Sequence, residues 1–566
     1  MPDTADKPLI VQSDRTILLT VDSPAYEEAR DALAAFAELQ KCPEHIHTYR
    51  LTPLSLWNAA AAGHPAGQVI ESLERFSRYP VPQNIITEVR DTIARYGRLR
   101  LVRRDERLIL VADRPALMEE VWRSKAVRPK LVERVDERRA AVDPAQRGHL
   151  KQALIKIGWP VEDLAGYVPG KPLDVDLAAV TASGDPFRPR GYQTEAADVF
   201  YAGGTQRGGS GVICLPCGAG KTIVGMCAMT RCGAHTLILC TNITAVRQWI
   251  RELIDKTTLT EEQIGEYTGE SKELRPVTVT TYQILTWRRK KSEPFPHFEI
   301  FNARDWGLII YDEVHLLPAP VFRFTAELQT RRRLGLTATL VREDGREDDV
   351  FSLIGPKRYD VPWKVLEEQG WIAAARCTEV RVDMTQDLRL EYALAPARNQ
   401  VRIAAENPAK LDVVRRLLDR HRSDLVLIIG QYLDQLHEIS DALDIPIITG
   451  KTPNAEREQL YDRFRRGEIP VLIVSKVGNF AVDLPDANVA IQVSGTFGSR
   501  QEEAQRLGRI LRPKSDGTAV RFYAVVTRDS KDQDFAANRQ LFLAEQGYAY
   551  DIRHADEIGP RGEPAS

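Results

Sequence analysis

The chain has 566 residues, of which 43% are hydrophobic and 28% charged, and its formal net charge is −2 at neutral pH. This length predicts several domains with full hydrophobic cores. The balanced charge excludes a strongly basic protein, so net charge alone does not indicate nucleic acid as the partner. No apolar run reaches the roughly 18 residues that a transmembrane helix needs, so no membrane partner is expected.

Seven cysteines in so long a chain argue against a disulfide framework. The N-terminus lacks the apolar segment of a secretory signal, so we expect a cytoplasmic protein. Basic clusters occur at Arg288-Arg289-Lys290-Lys291 and at Arg331-Arg332-Arg333. Each cluster by itself is typical of a solvated face and decides nothing about the partner.

The first part of the chain predicts small α+β domains. Thr16–Thr20 is typical of a strand, and a helix is expected from about Tyr26 to Leu39. Three helices and a hairpin are predicted after it, at 52–63, 66–79, 82–96 and 98–111. Residues 1–104 are therefore interpreted as a winged-helix-like N-terminal domain. A protein-docking domain without DNA contact explains the same pattern equally well.

Residues 105–168 predict a second small unit, and residues 169–187 predict a linker rich in glycine and proline. From about residue 188, short apolar runs alternate with helical patterns, which is typical of parallel sheets covered by helices. These runs are Thr236–Cys240, Val277–Thr281, Leu308–Tyr311, Leu334–Thr337, Leu425–Ile429, Ile445–Ile448, Val471–Val474 and Val489–Val493. Because a break lies near Gly355–Gly370, we predict two tandem α/β domains, at 188–365 and 366–545, and a C-terminal tail at 546–566.

A strand, a glycine-rich turn and a helix follow one another over Ser210–Thr222. This order predicts a phosphate-binding loop, because glycines let backbone N–H groups face phosphates and the helix adds its positive end. Lys221 is expected to reach the β- and γ-phosphates of ATP, and the Thr222 hydroxyl to ligate Mg²⁺. Leu215 stands where the usual pattern has its first glycine. The loop residues are Pro216, Cys217, Gly218, Ala219, Gly220, Lys221 and Thr222.

An acidic pair, Asp312-Glu313, follows the apolar run Leu308–Tyr311 and precedes Val314-His315. At the end of a buried strand, downstream of a phosphate-binding loop, this pattern predicts an Mg²⁺-dependent ATPase. Asp312 is expected to hold the metal, and Glu313 to orient and deprotonate the attacking water.

The second α/β domain contains Q-R-L-G-R-I-L-R at Gln505–Arg512. Arg509 and Arg512 recur at helical spacing and are candidates to stabilise charge on the γ-phosphate in the transition state. The predicted nucleotide site therefore draws residues from two domains. That arrangement is typical of a motor that opens and closes with hydrolysis.

Together these motifs resemble superfamily 2 helicases, and more narrowly the prokaryotic type of the XPB family of DNA repair and transcription helicases. The resemblance extends over about residues 105–530. Four segments carry the narrower resemblance: L-T-A-T-L-V-R-E-D with Arg342-Glu343-Asp344, V-S-K-V-G-N-F-A-V-D-L-P-D-A-N-V at 474–489, G-S-R-Q-E-E-A-Q-R-L-G-R at 498–509, and A-L-I-K-I-G-W-P-V-E-D-L-A-G-Y at 153–167.

The resemblance implies two RecA-like domains, ATP and Mg²⁺ as cofactors, and single-stranded or forked DNA as the partner. Residues 105–168 would correspond to the family's small damage-recognition domain, and a short thumb-like insertion is expected near 384–406. Arg190 and Gln193 would contact the adenine, and Asp483 and Gln505 would also bind the nucleotide. The implied residues for DNA contact or coupling are Thr241, Trp249, Thr281, His315, Thr337, Thr339, Arg342, Glu343, Asp344 and Lys476.

The sequence therefore predicts an ATP-dependent DNA helicase or translocase of 3′–5′ polarity. It would open DNA in repair, including nucleotide excision repair, in the cytoplasm and in association with the nucleoid. A nuclease or another repair protein is a candidate partner, and the oligomeric state is left open. Two alternatives remain at this point: an RNA helicase, because D-E-x-H proteins include them, and a nucleotide-gated DNA-binding scaffold that recruits a nuclease, because the thumb-like insertion is short.

Overall fold

The structure is a computed structural model, and the description is confined to the following residues of the chain. They are 7–41, 45–105, 107–205, 207–216, 218–290, 295–318, 320–321, 325, 328, 331–338, 347–361, 366, 369, 375–475, 487–495, 520–545 and 549–559. The chain forms two compact units, one mainly before and one mainly after Val361; Leu39–Thr48 and Pro216–Ala219 are grouped with the second unit.

The N-terminal part is mixed α and β. Its elements are β1 (Leu9–Val11), β2 (Thr16–Thr20), α1 (Tyr26–Ala34), β3 (Glu38–Lys41), β4 (Ile46–Arg50), α2 (Pro53–Ala61), α3 (Ala66–Phe76) and α4 (Gln83–Arg95). Strands β1 and β2 are antiparallel and pair Leu9 with Leu19. Thr52 caps α2, since its side chain accepts a hydrogen bond from the Ser55 N–H.

The helix predicted from Tyr26 to Leu39 was too long. The structure ends α1 at Ala34, where the Ala37 N–H donates to the Leu33 carbonyl and closes a turn. The next residues, Glu38–Lys41, form β3. Alanine and glutamate favour a helix locally, but pairing within a sheet overrides that preference here.

A five-stranded sheet follows. Its elements are β5 (Leu99–Arg104), β6 (Arg107–Ala112), α5 (Pro115–Arg123), β7 (Leu131–Arg134), β8 (Arg139–Val142), α6 (Arg147–Lys156) and β9 (Val161–Leu164). The strand order is β7-β8-β6-β5-β9. Leu99 and Leu101 of β5 belong to the hydrophobic core of this sheet. The boundary predicted between residues 104 and 105 therefore lies in the turn between two strands of one sheet.

The segment 169–187, predicted as a linker, is held against the domain that follows it. The Lys171 N–H donates to the Asp305 carbonyl, and the Leu173 N–H donates to the Gly233 carbonyl, both at 2.9 Å. Leu173 and Val175 are buried. The segment therefore packs as part of the first compact unit although it forms no regular element.

The first α/β domain is built on a seven-stranded parallel sheet in the order β12-β13-β11-β14-β15-β10-β16. Buried apolar side chains such as Val212, Leu239 and Ile309 form its core. The elements are α7 (Gly191–Tyr201), β10 (Ser210–Cys214), α8 (Lys221–Cys232), β11 (Thr236–Cys240), α9 (Ile243–Lys256), β12 (Ile264–Tyr267), β13 (Val277–Thr281), α10 (Tyr282–Thr286), β14 (Leu308–Asp312), β15 (Arg332–Thr337) and β16 (Lys357–Asp360).

The second unit contains another seven-stranded parallel sheet, in the order β19-β20-β18-β21-β22-β17-β23. Two tandem α/β domains with parallel sheets, the predicted fold class, are therefore confirmed. The elements are β17 (Ala375–Val382), α11 (Gln386–Leu394), α12 (Ala397–Ala405), α13 (Ala409–Arg420), β18 (Val426–Gly430), α14 (Leu433–Leu443), β19 (Ile447–Ile448), α15 (Asn454–Arg465), β20 (Val471–Ser475), β21 (Val489–Gln492), β22 (Val520–Thr527), α16 (Lys531–Glu545) and β23 (Ala549–His554).

The region near 384–406, where a thumb-like insertion was predicted, contains α11 and α12. None of the described helices has both the length and the apolar character that crossing a membrane requires.

A cluster of charged side chains joins the five-stranded sheet to the first α/β domain. Asp163 of β9 accepts hydrogen bonds from Arg147 at 2.7 and 3.1 Å and from Lys151 at 3.1 Å, and these side chains are 1–7% exposed. The Tyr167 ring lies 5.5 Å from the Arg147 guanidinium and 5.6 Å from that of the buried Arg333. The Tyr167 hydroxyl donates to Ser210, the first residue of β10, at 2.8 Å.

Replacing Asp163 with asparagine leaves Arg147 and Lys151 buried without their carboxylate. We expect the local free energy of unfolding to fall by about 3–5 kcal/mol, the usual effect of breaking a buried ion pair. Hydrogen exchange of α6 and β9, followed by mass spectrometry, measures this local opening. Glu28→Gln removes the exposed partner of Arg75 and is the control, with no expected change. Unchanged exchange in Asp163→Asn would contradict a stabilising role for the cluster.

Candidate active site

Three neighbouring strands end at the candidate active site. Strands β14, β15 and β10 are adjacent and parallel, so their carboxyl ends lie on the same edge of the sheet. In open α/β sheets, ligands bind outside this edge. The phosphate-binding loop follows β10, Asp312 and Glu313 stand at the end of β14, and Thr337 ends β15. The fold thus brings together motifs that are far apart in the sequence.

The phosphate-binding loop requires glycine at its last position before the helix. Gly220 has a φ of +79° in the left-handed region and precedes α8. A Cβ atom at Gly220 would lie 2.4 Å from the Nε2 atom of Gln193. Gln193 is 3% exposed, and its side-chain oxygen accepts the Arg190 N–H at 2.9 Å. Gln193 therefore packs directly against the end of the loop, and Arg190 caps the start of α7 beside it.

An open groove of about 750 Å³ runs along the start of α7. This volume lies in the range typical of small-molecule sites. Its lining residues are Arg188, Pro189, Gly191, Thr194, Glu195, Asp198 and Val199.

Lys221, the first residue of α8, forms an ion pair with Glu313. The distance from Lys221 Nζ to Glu313 Oε1 is 3.4 Å, and the two side chains are 12% and 11% exposed. Burial alone would raise the pKa of Glu313, but the charges of Lys221 and His315 outweigh it and lower that pKa below its ordinary value. Glu313 is therefore ionised at neutral pH, the form that accepts a proton.

Asp312 is held by donors from two directions. Its Oδ2 atom accepts the indole N–H of Trp249 at 2.9 Å, and its Oδ1 atom accepts the Glu313 backbone N–H at 3.1 Å. Loss of contact with water and the neighbouring charge of Glu313 raise the pKa of Asp312. A divalent cation beside this carboxylate would offset that cost. The carboxylate oxygens of Asp312 and the hydroxyl of Thr222 are the hard oxygen ligands that Mg²⁺ prefers, so they fit the predicted metal.

Glu313 has a backbone conformation that is uncommon for a residue with a side chain. Its φ of +48° and ψ of +55° lie in the left-handed region, at a cost of about 1–2 kcal/mol. The His315 ring helps to fix this turn, because its Nδ1 atom lies 2.5 Å from Thr337 Oγ1 and 3.6 Å from Glu313 Oε2. The Thr337 carbonyl in turn accepts the Leu215 N–H at 2.9 Å. Thr337 therefore contacts both the acidic pair's turn and the end of β10.

Trp249 lies inside the domain. It is 2% exposed, and its ring occupies the space in which a Cβ at Gly225 of α8 would stand, 2.4 Å away. Because its N–H is given to Asp312, the position of Trp249 suits coupling within the domain and not a contact with a DNA strand at the surface.

The other predicted coupling residues lie at neighbouring strand ends. Thr281 is buried and caps α10, accepting the Ile284 N–H at 3.2 Å, and Thr241 accepts a hydrogen bond from Asn242. Tyr282 belongs to the segment Thr280-Thr281-Tyr282, which in sequence resembles a DNA-contacting or coupling segment of the XPB family. In the structure its hydroxyl donates to the Asp312 carbonyl at 2.8 Å. The motif T-T-Y was the signal, but its contact with Asp312 spans 30 residues and no local pattern reveals it.

Several predicted site residues lie outside the described residues, so their assignments stay predictions. They are Cys217, Thr339, Arg342, Glu343, Asp344, Lys476, Asp483, Gln505, Arg509 and Arg512.

The parallel sheet, the glycine loop and the acidic pair are those of an ATP-hydrolysing helicase domain. Residues 186–342 match the family described as type III restriction enzyme, res subunit, and residues 9–136 match the family described as helicase conserved C-terminal domain. Residues 366–559 match the family described as ERCC3/RAD25/XPB C-terminal helicase.

Curated relatives cover nearly the whole chain. It is 59% identical to the DNA 3′-5′ helicase XPB of Mycobacterium tuberculosis, over 98% of this chain and 99% of that protein. It is 58% identical to the DNA 3′-5′ helicase XPB of Kineococcus radiotolerans, over 98% and 97%. It is 32% identical to the general transcription and DNA repair factor IIH helicase/translocase subunit XPB of Enterocytozoon bieneusi, over 97% and 93%. The chain belongs to the XPB family of superfamily 2 DNA helicases, as its motifs predicted.

Replacing Gly220 with alanine should impair nucleotide binding. The left-handed φ costs alanine about 1–2 kcal/mol, and the new Cβ also displaces Gln193, so we expect ATP to bind about 10-fold or more weakly. Titration with a fluorescent ATP analogue measures the affinity. Adding Gln193→Ala should not restore the affinity, because the backbone cost remains and the adenine contact predicted for Gln193 is lost as well. Gly269→Ala is the control, since among the described residues, its chain neighbours aside, no atom lies within 4 Å of a Cβ there. Wild-type affinity in Gly220→Ala would show that this glycine is dispensable.

Proposed function

We propose that the chain hydrolyses ATP with Mg²⁺ and uses the energy to move along DNA with 3′–5′ polarity, opening it during repair, including nucleotide excision repair. The observation that carries the proposal is the group formed by Lys221, Asp312 and Glu313 beside the phosphate-binding loop. The names of the relatives supply the polarity and the DNA substrate. The proposed setting is the cytoplasm, at the nucleoid, with a nuclease or another repair protein as partner.

The positions of the site residues support the following proposed roles. Backbone N–H groups of the loop and Lys221 bind the phosphates of ATP, and Glu313 accepts the proton of the attacking water. Thr222 and Asp312 are the residues that hold Mg²⁺, which when bound neutralises charge on the phosphate oxygens. Arg190 and Gln193 orient the adenine beside the groove along α7.

A second set of residues connects ATP hydrolysis to the bound DNA strand. Trp249 and Tyr282 hold Asp312 from the α9 and α10 sides, while His315 and Thr337 connect the turn after Glu313 to β15. Thr241 and Thr281 stand at the ends of β11 and β13 on the same edge.

The remaining assignments rest on sequence resemblance alone. We propose Arg509, Arg512, Asp483 and Gln505 for the nucleotide. The DNA or coupling residues in this set are Thr339, Arg342, Glu343, Asp344 and Lys476.

Glu313→Gln separates ATP binding from hydrolysis. Glutamine keeps the shape of the side chain but accepts no proton, so we expect kcat to fall about 100-fold or more with ATP affinity retained. Lys221→Ala is the matched variant, which should lose ATP binding as well. Steady-state hydrolysis is measured without nucleic acid and with single-stranded DNA, forked DNA or RNA.

Each arm of this assay has a defined consequence. Stimulation by DNA and not by RNA supports the proposal, whereas preference for RNA would favour an RNA helicase. Hydrolysis that ignores every nucleic acid would favour a nucleotide-gated scaffold. Wild-type hydrolysis in Glu313→Gln would remove Glu313 from the mechanism.

Trp249→Phe tests the hydrogen bond to Asp312. Phenylalanine fills most of the ring's space but donates no N–H, and loss of such a supporting bond typically weakens metal affinity about 10- to 100-fold. We expect the Mg²⁺ concentration for half-maximal hydrolysis to rise by that factor, with activity recovering at high Mg²⁺. Trp306→Phe is the matched control, because its N–H is given to the Ile300 carbonyl instead. An unchanged Mg²⁺ dependence in Trp249→Phe would show that the hydrogen bond from Trp249 to Asp312 does not support metal binding.

A further inference from the structure

A group of aromatic and basic side chains lies on the first α/β domain, away from the nucleotide loop and not used by the mechanism above. We call it the aromatic–basic surface. Its members are Tyr267, Lys272, Trp287, Arg288, Phe295 and His297.

Contacts within the aromatic–basic surface hold its rings in place. The Tyr267 hydroxyl and His297 Nδ1 are 2.9 Å apart, and the centroids of the His297 and Trp287 rings are 5.9 Å apart. Lys272 Nζ lies 4.7 Å from the centre of the Tyr267 ring, and the Arg288 guanidinium lies 4.7 Å from that of Phe295. Trp287 is nevertheless 54% exposed, whereas Trp249 and Trp306 of the same domain are almost fully buried.

The charge around Trp287 is positive. Arg288, Arg289 and Lys290 follow it directly, and the last two are exposed. Glu270 and Glu273 lie on either side of Lys272 in the sequence, and they are paired with Arg247 and Arg275 respectively. Burial, together with the charge of Glu299, raises the pKa of the Tyr267 phenol. The surface therefore offers an exposed aromatic ring beside several cations, which suits a polyanion that carries planar bases.

The position of this surface in the fold relates it to ATP hydrolysis. Tyr267 ends β12, and Trp287 follows the short helix α10 that begins at the end of β13. Both lie on the carboxyl edge of the sheet that also carries the phosphate-binding loop. Tyr282, at the start of α10, donates to the carbonyl of Asp312. One short helix therefore separates Trp287 from a residue that contacts the acidic pair.

We propose that the aromatic–basic surface binds single-stranded DNA, with a base stacked on Trp287 and phosphates contacted by Arg289 and Lys290. This inference rests on the proposed function, because it gives the bound strand a contact on the first α/β domain. Stacking on Trp287 is independent of base sequence, since every base has a planar face.

The stacking contact is tested with two single-stranded probes, oligothymidylate and an abasic oligonucleotide of equal length. Trp287→Ala should bind oligothymidylate about 5- to 100-fold more weakly than wild type, the usual loss for one stacked base. It should bind the abasic probe as wild type does, because that probe has nothing to stack. Trp287→Phe keeps a ring and should retain most of the affinity. Fluorescence anisotropy measures the affinity of wild type and of both variants for each probe.

Salt dependence separates the phosphate contacts from the stacking contact. Replacing Arg289 and Lys290 together with alanine should reduce the slope of log affinity against log salt by about 0.7 for each phosphate that these side chains no longer neutralise. Trp287→Ala should leave that slope unchanged. The DNA concentration for half-maximal stimulation of ATP hydrolysis should rise in parallel with the loss of affinity. Tyr79→Ala, an exposed aromatic residue of the N-terminal part, is the control and should bind as wild type.

The outcomes distinguish this inference from the proposed function. If wild type is stimulated by single-stranded DNA and Trp287→Ala binds oligothymidylate equally well, the inference is overturned and the function stands. Equal weakening on both probes would mean that the substitution disturbs the structure, and this also overturns stacking. If wild type binds no single-stranded DNA, the inference fails, and the proposed function fails with it only if forked DNA also does not stimulate hydrolysis.

Discussion

Two adjacent carboxylates lie at the end of β14, and the first α/β domain is arranged so that the charge of each is compensated. Asp312 and Glu313 carry like charges where little water is present, so each needs its own compensating donors. Lys221 forms an ion pair with Glu313, while the indole N–H of Trp249 and the backbone N–H of Glu313 donate hydrogen bonds to Asp312. Lys221 comes from the start of α8 and Trp249 from the middle of α9, and the parallel sheet brings these two side chains to one edge.

Strand β10 is fixed at both of its ends, and this matters because the phosphate-binding loop is its direct continuation. At its start, Ser210 accepts the hydroxyl of Tyr167, which packs between the buried arginines of the Asp163 cluster. At its end, the Leu215 N–H is bound by the Thr337 carbonyl. The five-stranded sheet that precedes the first α/β domain therefore contributes to positioning the phosphate-binding loop.

Local patterns in the sequence were sufficient for the parallel sheets, the phosphate-binding loop and the acidic pair, because each depends on residues close together in the chain. They were insufficient for α1, whose composition favours a helix where the structure forms β3. They also did not reveal that Trp249 and Tyr282 both contact Asp312, since these contacts span 63 and 30 residues. Only the order of the strands, β13-β11-β14, decides that these side chains meet.

The same order of β-strands explains how a bound DNA strand and the acidic pair can influence each other. Helix α10 has five residues and is about 7.5 Å long, so its two ends lie close together. Tyr282 at one end reaches across β11 to Asp312, and Trp287 follows the other end. Glu313 already has a backbone conformation that its neighbours must maintain. A displacement of α10 by a ligand therefore acts on a turn in which Glu313 holds a left-handed backbone conformation.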